Sequence, residues 1–322
     1  MGHMTWAAVV GCAQYLSRMF PASYLVTEVN EDTWLVDSLL LRRSKGASPL
    51  STWYDQQEDF SHFVTDVPTP RPPSVPLAEN HPTLKLVYDI RCYTAVFSVG
   101  TEAFCKIKPQ KTNVTLKAVT LEFVHTQWPD SEVPQVFHNT IRDGRSFLFM
   151  SRVPGRTLAE AWPSLDETWK HRYVESVISV CVSLQLLERD KIGGVDGNGV
   201  EQQDLFGYGE EKHPDPQSLQ QRCELLGMDC SKYVFCRLDL GPVSLIVEDV
   251  PTSGRVGFID WESAGFFPRE WLRTKAIVSV GLDIPEELSG SDDPSWWRLQ
   301  RALGEQGILY RPMGFDVGEI IT

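Results

Sequence analysis

Positive charge is in short supply in this sequence: 30 Lys and Arg stand against 43 Asp and Glu, a net charge of −13. That balance excludes a surface built for nucleic acid or for an anionic membrane, since both need basic patches. No apolar run reaches the roughly 20 residues of a membrane span, and the early apolar stretch from Trp6 to Phe20 is broken by Gln14, Ser17 and Arg18. Neither a secretory signal nor an anchor is expected there, and the expected compartment is the cytoplasm. Clustered cysteine is lacking as well. Cys12, Cys92, Cys105, Cys181, Cys223, Cys230 and Cys236 are odd in number and lack metal-ligand spacing, so they read as reduced, mostly buried thiols. A glycine-rich phosphate loop is also missing, because Asp89 to Phe97 contains no glycine.

What the sequence does have is apolar content: 42% of its 322 residues are hydrophobic, enough for one large or two ordinary domains with a core. Its most informative stretch is Phe235 to Trp261, FCRLDLGPVSLIVEDVPTSGRVGFIDW. Leu245-Ile246-Val247 and Val256-Gly257-Phe258-Ile259 are branched-residue runs separated by Asp249, Pro251, Thr252, Ser253 and Gly254, which predicts two antiparallel strands and a turn. Such a hairpin puts Ser244, before the first strand, beside Asp260, after the second, with Asp239 in the loop leading to the same end. Two carboxylates with a hydroxyl between them make a hard oxygen site suited to Mg²⁺ and the phosphates it carries.

The flanks of these aspartates resemble the catalytic segment of the aminoglycoside phosphotransferase family in its fungal form. Leu240-Gly241-Pro242 and Trp261-Glu262 match the family's text, and the likeness runs on through Ala264-Gly265-Phe266-Phe267-Pro268-Arg269-Glu270-Trp271 and Arg273-Thr274-Lys275, and back through Leu225 to Cys230. Upstream, Pro154-Gly155-Arg156-Thr157-Leu158 with Trp162 matches another family segment. The resemblance covers roughly Leu84 to Asp283. It implies an α+β, two-lobed protein-kinase-like fold with an N-terminal extension: residues 1–80 as the extension, 81–150 as a small nucleotide-type lobe and 151–322 as a helical large lobe carrying the catalytic hairpin 235–261.

The same resemblance implies roles. Asp239 would be the catalytic base with Arg237 beside it, and Asp260 and Ser244 would hold Mg²⁺. Lys106 would face the ATP phosphates, and Ser151-Arg152-Val153 would be the hinge whose backbone reads adenine, making Lys106, Ser151 and Val153 the nucleotide contacts. Three positions depart from the family. Ser244 replaces its asparagine, Arg237 stands where histidine is common, and Lys117 stands where a glutamate would pair with Lys106. Arg237 is expected to weaken Asp239 as a proton acceptor, and Lys117 to turn out to solvent, leaving Lys106 without its anchor. Glu122 is the other acid that could take that place. The function implied is ATP- and Mg²⁺-dependent phosphorylation of a hydroxyl on a small metabolite or natural product. The alternative is a degenerate kinase fold whose cleft binds a small molecule or catalyses an isomerisation or cyclisation in secondary metabolism.

Elsewhere the pattern predicts helices over Trp6–Met19, Val114–Thr126, Leu165–Asp190 and Asp293–Gly304, and aromatics and acids fall at helical intervals from Trp53 to Val67. Strands are expected at Tyr24–Val26, Trp34–Val36, Leu84–Tyr88, Ala95–Gly100, Ala103–Lys108, Val133–Phe137 and Ser146–Met150. Residues 68–76 carry five prolines and read as a strap. Residues 1–3 read as a cloning remnant. Gly193 to Gly197 is a turn cluster without an evident chemical role, and Asp204 to Pro216 reads as a polar insert suited to an acceptor site.

Overall fold

The structure, a computed structural model, describes residues 22–90, 94–201, 205 and 215–271. The expected helices at Trp6–Met19 and Asp293–Gly304, most of the polar insert and Arg273–Lys275 lie outside the described residues. The chain is a mixed α+β protein made of two compact units. Of the described residues, those up to 111 and those at 135–152 form the first, and those at 112–134 and from 153 onward the second.

Two antiparallel sheets build the first unit. One has six strands: β1 Val26–Asn30, β2 Thr33–Val36, β3 Leu39–Lys45, β4 Trp53–Asp55, β5 Phe60–Asp66 and β6 Val75–Pro76, ordered β4-β5-β3-β2-β1-β6. The other has five: β7 Leu84–Ile90, β8 Thr94–Val99, β9 Ala103–Pro109, β10 Val136–Arg142 and β11 Arg145–Ser151, ordered β10-β11-β9-β8-β7. Their inner faces alternate as pleated strands must, and Trp34, Leu41 and Trp53 of the first sheet share one core with Phe97, Ile107 and Phe149 of the second. Residues from both sides of position 80 contribute to that core, so the strands before it pack against those that follow. The proline strap contributes β6, which pairs with β1 at the edge of the sheet, a place where proline's missing N–H is tolerated.

The helical spacing from Trp53 to Val67 is a coincidence. Asp59 adopts a left-handed φ of 58°, which turns the chain so that β4 and β5 pair, and Trp53 stacks on His62 with ring centroids 4.6 Å apart.

The second unit opens with α1, Lys117–Gln127. It starts three residues later than its pattern suggests because Val114 bridges to Gly199 and the Thr115 N–H donates to the Gly199 carbonyl at 2.9 Å. There follow β12 Arg156–Thr157, α2 Leu158–Ala161, α3 Glu167–Leu184, β13 Glu188–Arg189, α4 Pro216–Leu225, β14 Tyr233–Cys236, β15 Leu245–Val247, β16 Val256–Phe258 and β17 Gly265–Phe267. Asp166 caps α3 by accepting from the Trp169 N–H, and Tyr173, Val177, Cys181 and Leu184 are buried along one face of it. Thr157 and Glu160 form a reciprocal capping box on α2. Two three-stranded sheets, β12-β15-β16 and β13-β14-β17, carry the loops of interest. Among the described residues Cys105, Cys181, Cys223 and Cys230 are free thiols, and no helix is long and apolar enough to cross a membrane.

Gly155 shows why the Pro-Gly segment reads as it does. Its φ is +117°, and a Cβ there would lie 2.1 Å from the Val247 carbonyl oxygen, so only glycine lets the chain pass into β12 against β15. Gly155→Ala is therefore expected to lower the unfolding free energy by about 2–4 kcal/mol, combining backbone strain with overpacking. Urea denaturation measures this, and a variant within about 0.5 kcal/mol of wild type, the range of a neutral surface change, would contradict the packing.

Candidate active site

The hairpin forms as its sequence predicts. Leu245 pairs with Phe258, Ile246 with Gly257 and Val247 with Val256, all antiparallel. Glu248 organises the turn: its carboxylate accepts from the Thr252 hydroxyl at 2.6 Å, the Ser253 hydroxyl at 2.8 Å and the Gly254 N–H at 3.0 Å. At the other end the Ile259 N–H donates to the Ser244 carbonyl at 3.1 Å, so the residue before Asp260 is tied directly to Ser244.

Asp239 is half-buried and held at both oxygens. The Ser244 hydroxyl donates to Oδ2 at 2.9 Å and the Gly241 N–H to Oδ1 at 3.2 Å. Ser244, expected as a metal ligand, is buried and commits its hydroxyl proton to this carboxylate. Asp260 stands in the left-handed region at φ 64°, a strained position for a residue with a side chain, and such positions gather at functional sites. Its side chain is 39% exposed.

Arg237 differs from its expected place among the catalytic residues. It is 1% exposed, and its Nη2 donates to the carbonyls of Ser244, at 3.2 Å, and of Ile259. Its guanidinium lies 5.4 Å from the Phe258 ring centroid and 5.7 Å from that of Trp261. Burial lowers its pKa from the usual arginine range, while the charges of Asp239 and Asp260 act in the opposite sense. A side chain so enclosed touches no ligand. It positions the two backbone segments from which Asp239, Ser244 and Asp260 project.

Lys117 also departs from expectation. It does not turn out to solvent: it is buried at the first position of α1, with Nζ 3.2 Å from Asp260 Oδ1. A lysine in the first turn faces the positive end of the helix dipole, and the Asp260 carboxylate offsets that. Glu122, the other acid considered for this helix, is exposed.

The turn cluster at Gly193 to Gly197 gains a role that its sequence did not disclose. Asp196 accepts from the Thr115 hydroxyl at 2.5 Å, and a Cβ on Gly194 would collide with that hydroxyl at 1.7 Å. Gly193 and Phe266 exchange two backbone hydrogen bonds. Phe123 of α1 packs on Phe235 and Phe266, with centroids 5.1 and 6.2 Å away. The loop therefore clamps the start of α1 to β17, and the aromatic cluster fixes its register. Thr115 and Asp196 thus act as positioning residues for Lys117. The only advance signal was a glycine-rich turn.

The residues expected to contact nucleotide fall in different units: Lys106 and Ser151 in the first, Val153 in the second. Lys106 sits on β9 opposite Val96 and Leu148, half-buried, on the face away from Cys105 and Ile107. Ser151 ends β11, and its hydroxyl accepts from the Gln135 N–H at 2.8 Å. Val153, in the second unit, is buried where a Cβ on Gly257 would come within 2.4 Å of it, so its side chain is core and any contact it makes is through its backbone.

Two carboxylates and a hydroxyl are all-oxygen donors, which suits Mg²⁺ carried by phosphates, since that ion is commonly held by one or two carboxylates plus waters and substrate oxygens. Among the described residues no group of three or more His, Cys, Asp or Glu side chains gathers for a metal, so an all-protein cage is not on offer. Asp260 would be the metal-facing group, with Asp239 beside it. A separate pocket of about 540 Å³ in the second unit, lined by Trp128, Val133, Ser183, Phe258 and Trp261 among others, contains neither aspartate.

Neither a protein-family model nor a curated protein matches the chain. Among solved structures it is similar to the aminoglycoside phosphotransferase APH(3'')-Id from Streptomyces rimosus ATCC10970, at 17% identity over 70% of this chain and 86% of that one, with a TM-score of 0.44. An aminoglycoside-3'-phosphotransferase of type VIII matches at 17% identity over 69% and 92% with a TM-score of 0.42. ADP-bound APH(2'')-Ib matches at 12% over 74% and 88% with a TM-score of 0.38.

The hydrogen bonds on Glu248 generate a pH prediction. Burial pushes its pKa up, but the hydroxyls of Thr252 and Ser253 and the N–H groups of Thr252 and Gly254 outweigh it and hold the carboxyl well below its ordinary 4.5. The stability it contributes is complete above that ordinary value and is lost as pH falls through it toward the lower folded value. Glu248→Gln should cost about 1–2 kcal/mol at pH 7, and the gap to wild type should close below about pH 4. Thermal unfolding of both proteins across that range measures it, and a gap that widens in acid would refute the assignment.

Proposed function

We propose that this chain is an ATP- and Mg²⁺-dependent phosphotransferase that acts on a hydroxyl of a small-molecule acceptor, a metabolite or natural product. The observation that supports it most is the state of Asp239: half-buried, oriented by Ser244 and Gly241, and set at the same hairpin end as a strained Asp260. Asp239 accepts the acceptor's hydroxyl proton as the oxygen forms its bond to the γ-phosphorus and the bond to the β-phosphate oxygen breaks, releasing ADP. Ser244 keeps the carboxylate turned toward that proton. Arg237 holds the loop and the hairpin end together from beneath. Asp260 faces the metal, which when bound neutralises phosphate charge. Lys106 takes phosphate oxygens, and the backbone at Ser151 and Val153 takes the adenine edge.

A second reading, a cleft turned to isomerisation or cyclisation of a natural product, is favoured by the ammonium already standing on Asp260. The two differ in what nucleotide does. Under the first, Mg²⁺-ATP at a hundred times its Kd stabilises the chain by about 2.7 kcal/mol, raising Tm by several degrees. In an ADP-release assay over a panel of hydroxyl acceptors, Asp239→Asn should then lower kcat by about 10²–10⁴-fold while nucleotide affinity stays near wild type. No Tm shift with Mg²⁺-ATP in the folded wild type would retire phosphoryl transfer and leave the second reading.

A further inference from the structure

We propose that Lys117 is a phosphate-binding residue of this site: it holds Asp260 while the site is empty of ligand and passes to a phosphate oxygen when a metal-bearing nucleotide takes that carboxylate. The inference rests on the phosphotransfer reading and extends it to a residue on a helix, 143 positions from its aspartate.

Three observations carry it. First, the contact is built rather than incidental. The start of α1 is tied to Gly199 by the Thr115 N–H and to Asp196 by the Thr115 hydroxyl, two residues before Lys117. The Phe123 ring locks the next turns on Phe235 and Phe266. Lys117 cannot leave Asp260 by rotation of its helix.

Second, Lys117 is a cation at the positive end of a helix, a position that the helix dipole disfavours and that the carboxylate of Asp260 offsets.

Third, an ammonium already stands on Asp260, and a second cation, Arg237, is enclosed within the same segment. A free divalent ion has to approach Asp260 against that ammonium, whereas an ion arriving on phosphates brings its own anions. An ammonium has three N–H donors, so Lys117 can serve Asp260 and then a phosphate oxygen without changing place. Lys117 thereby guards Asp260 against bare metal and attracts metal-nucleotide.

These two effects have opposite signs, and one substitution separates them. Lys117→Met keeps the length and apolar stem and removes the ammonium. Mn²⁺ alone, followed by the loss of its free-ion EPR signal, should bind Lys117→Met at least about tenfold more tightly than wild type, and Asp260→Asn in the same background should abolish the gain. The non-hydrolysable nucleotide AMP-PNP with Mg²⁺, followed by calorimetry, should bind Lys117→Met at least about tenfold more weakly, with Lys117→Arg recovering part of the loss. A purely structural lysine would lower both affinities together, and that outcome overturns the proposal, as does a variant matching wild type in both assays. A folded wild type that binds no AMP-PNP, with or without Mg²⁺, overturns the phosphotransfer reading itself. Nucleotide binding in wild type that is unchanged in Lys117→Met overturns the role of Lys117 alone. Circular dichroism confirms that each variant is folded, and Lys117→Gln, which keeps a donor at the position, provides a second neutral test.

Discussion

A guanidinium with almost no exposure sits beneath the candidate site, and the surrounding arrangement depends on the charge it carries. Removing an isolated ion from water costs several kcal/mol, which is repaid only by good hydrogen bonds and nearby opposite charge. Arg237 donates from Nη2 to the carbonyls of Ser244 and Ile259 and has opposite charge nearby on Asp239 and Asp260, while its Nε and Nη1 are buried without a hydrogen-bond partner. Those partners are the two ends of the hairpin and the loop before it. One buried side chain therefore specifies where three polar residues emerge, and its rings of contact, Phe258 and Trp261, flank Asp260 in sequence.

Around that centre the chain closes on itself. From Asp260 it runs to β17, whose Phe266 is bonded to Gly193. The Gly193 loop clamps Thr115, and Thr115 sets the start of α1, which returns Lys117 to Asp260. Each link is short-range, made of backbone hydrogen bonds or one hydroxyl, so a displacement at any point alters the ion pair. This accounts for the concentration of glycines at 193, 194 and 265: a Cβ at each would strike backbone or side chain within 3 Å.

Much of this was legible in the sequence where the relevant residues are contiguous. The Asp239 loop and the Asp260 hairpin lie within 22 positions, so alternation and turn residues alone predict that they meet, as they do through Ser244 and Ile259. The Lys117–Asp260 pair spans 143 positions and has no periodic signature, and the expectation that Lys117 turns to solvent rested on repulsion from Lys106 and on how commonly lysines are exposed. It ignored the carboxylate that would receive it. The role of Asp196 was illegible for a similar reason, because its partner Thr115 is 81 positions away. In the first unit, helical spacing over Trp53 to Val67 concealed a hairpin, since a left-handed Asp59 has no strong sequence marker while the stacking of Trp53 on His62 depends on the finished fold.

The central claim is that Lys117 and Asp260 are energetically coupled inside one site. A double-mutant cycle on unfolding free energy, with Lys117→Met, Asp260→Asn and the combined variant, measures that coupling directly. The arrangement predicts a favourable coupling of about 1–3 kcal/mol at pH 7 and low salt, reduced but not abolished by salt because one partner is buried. A coupling indistinguishable from zero, with both single variants folded, would mean that the lysine and the aspartate do not meet, and would contradict the account.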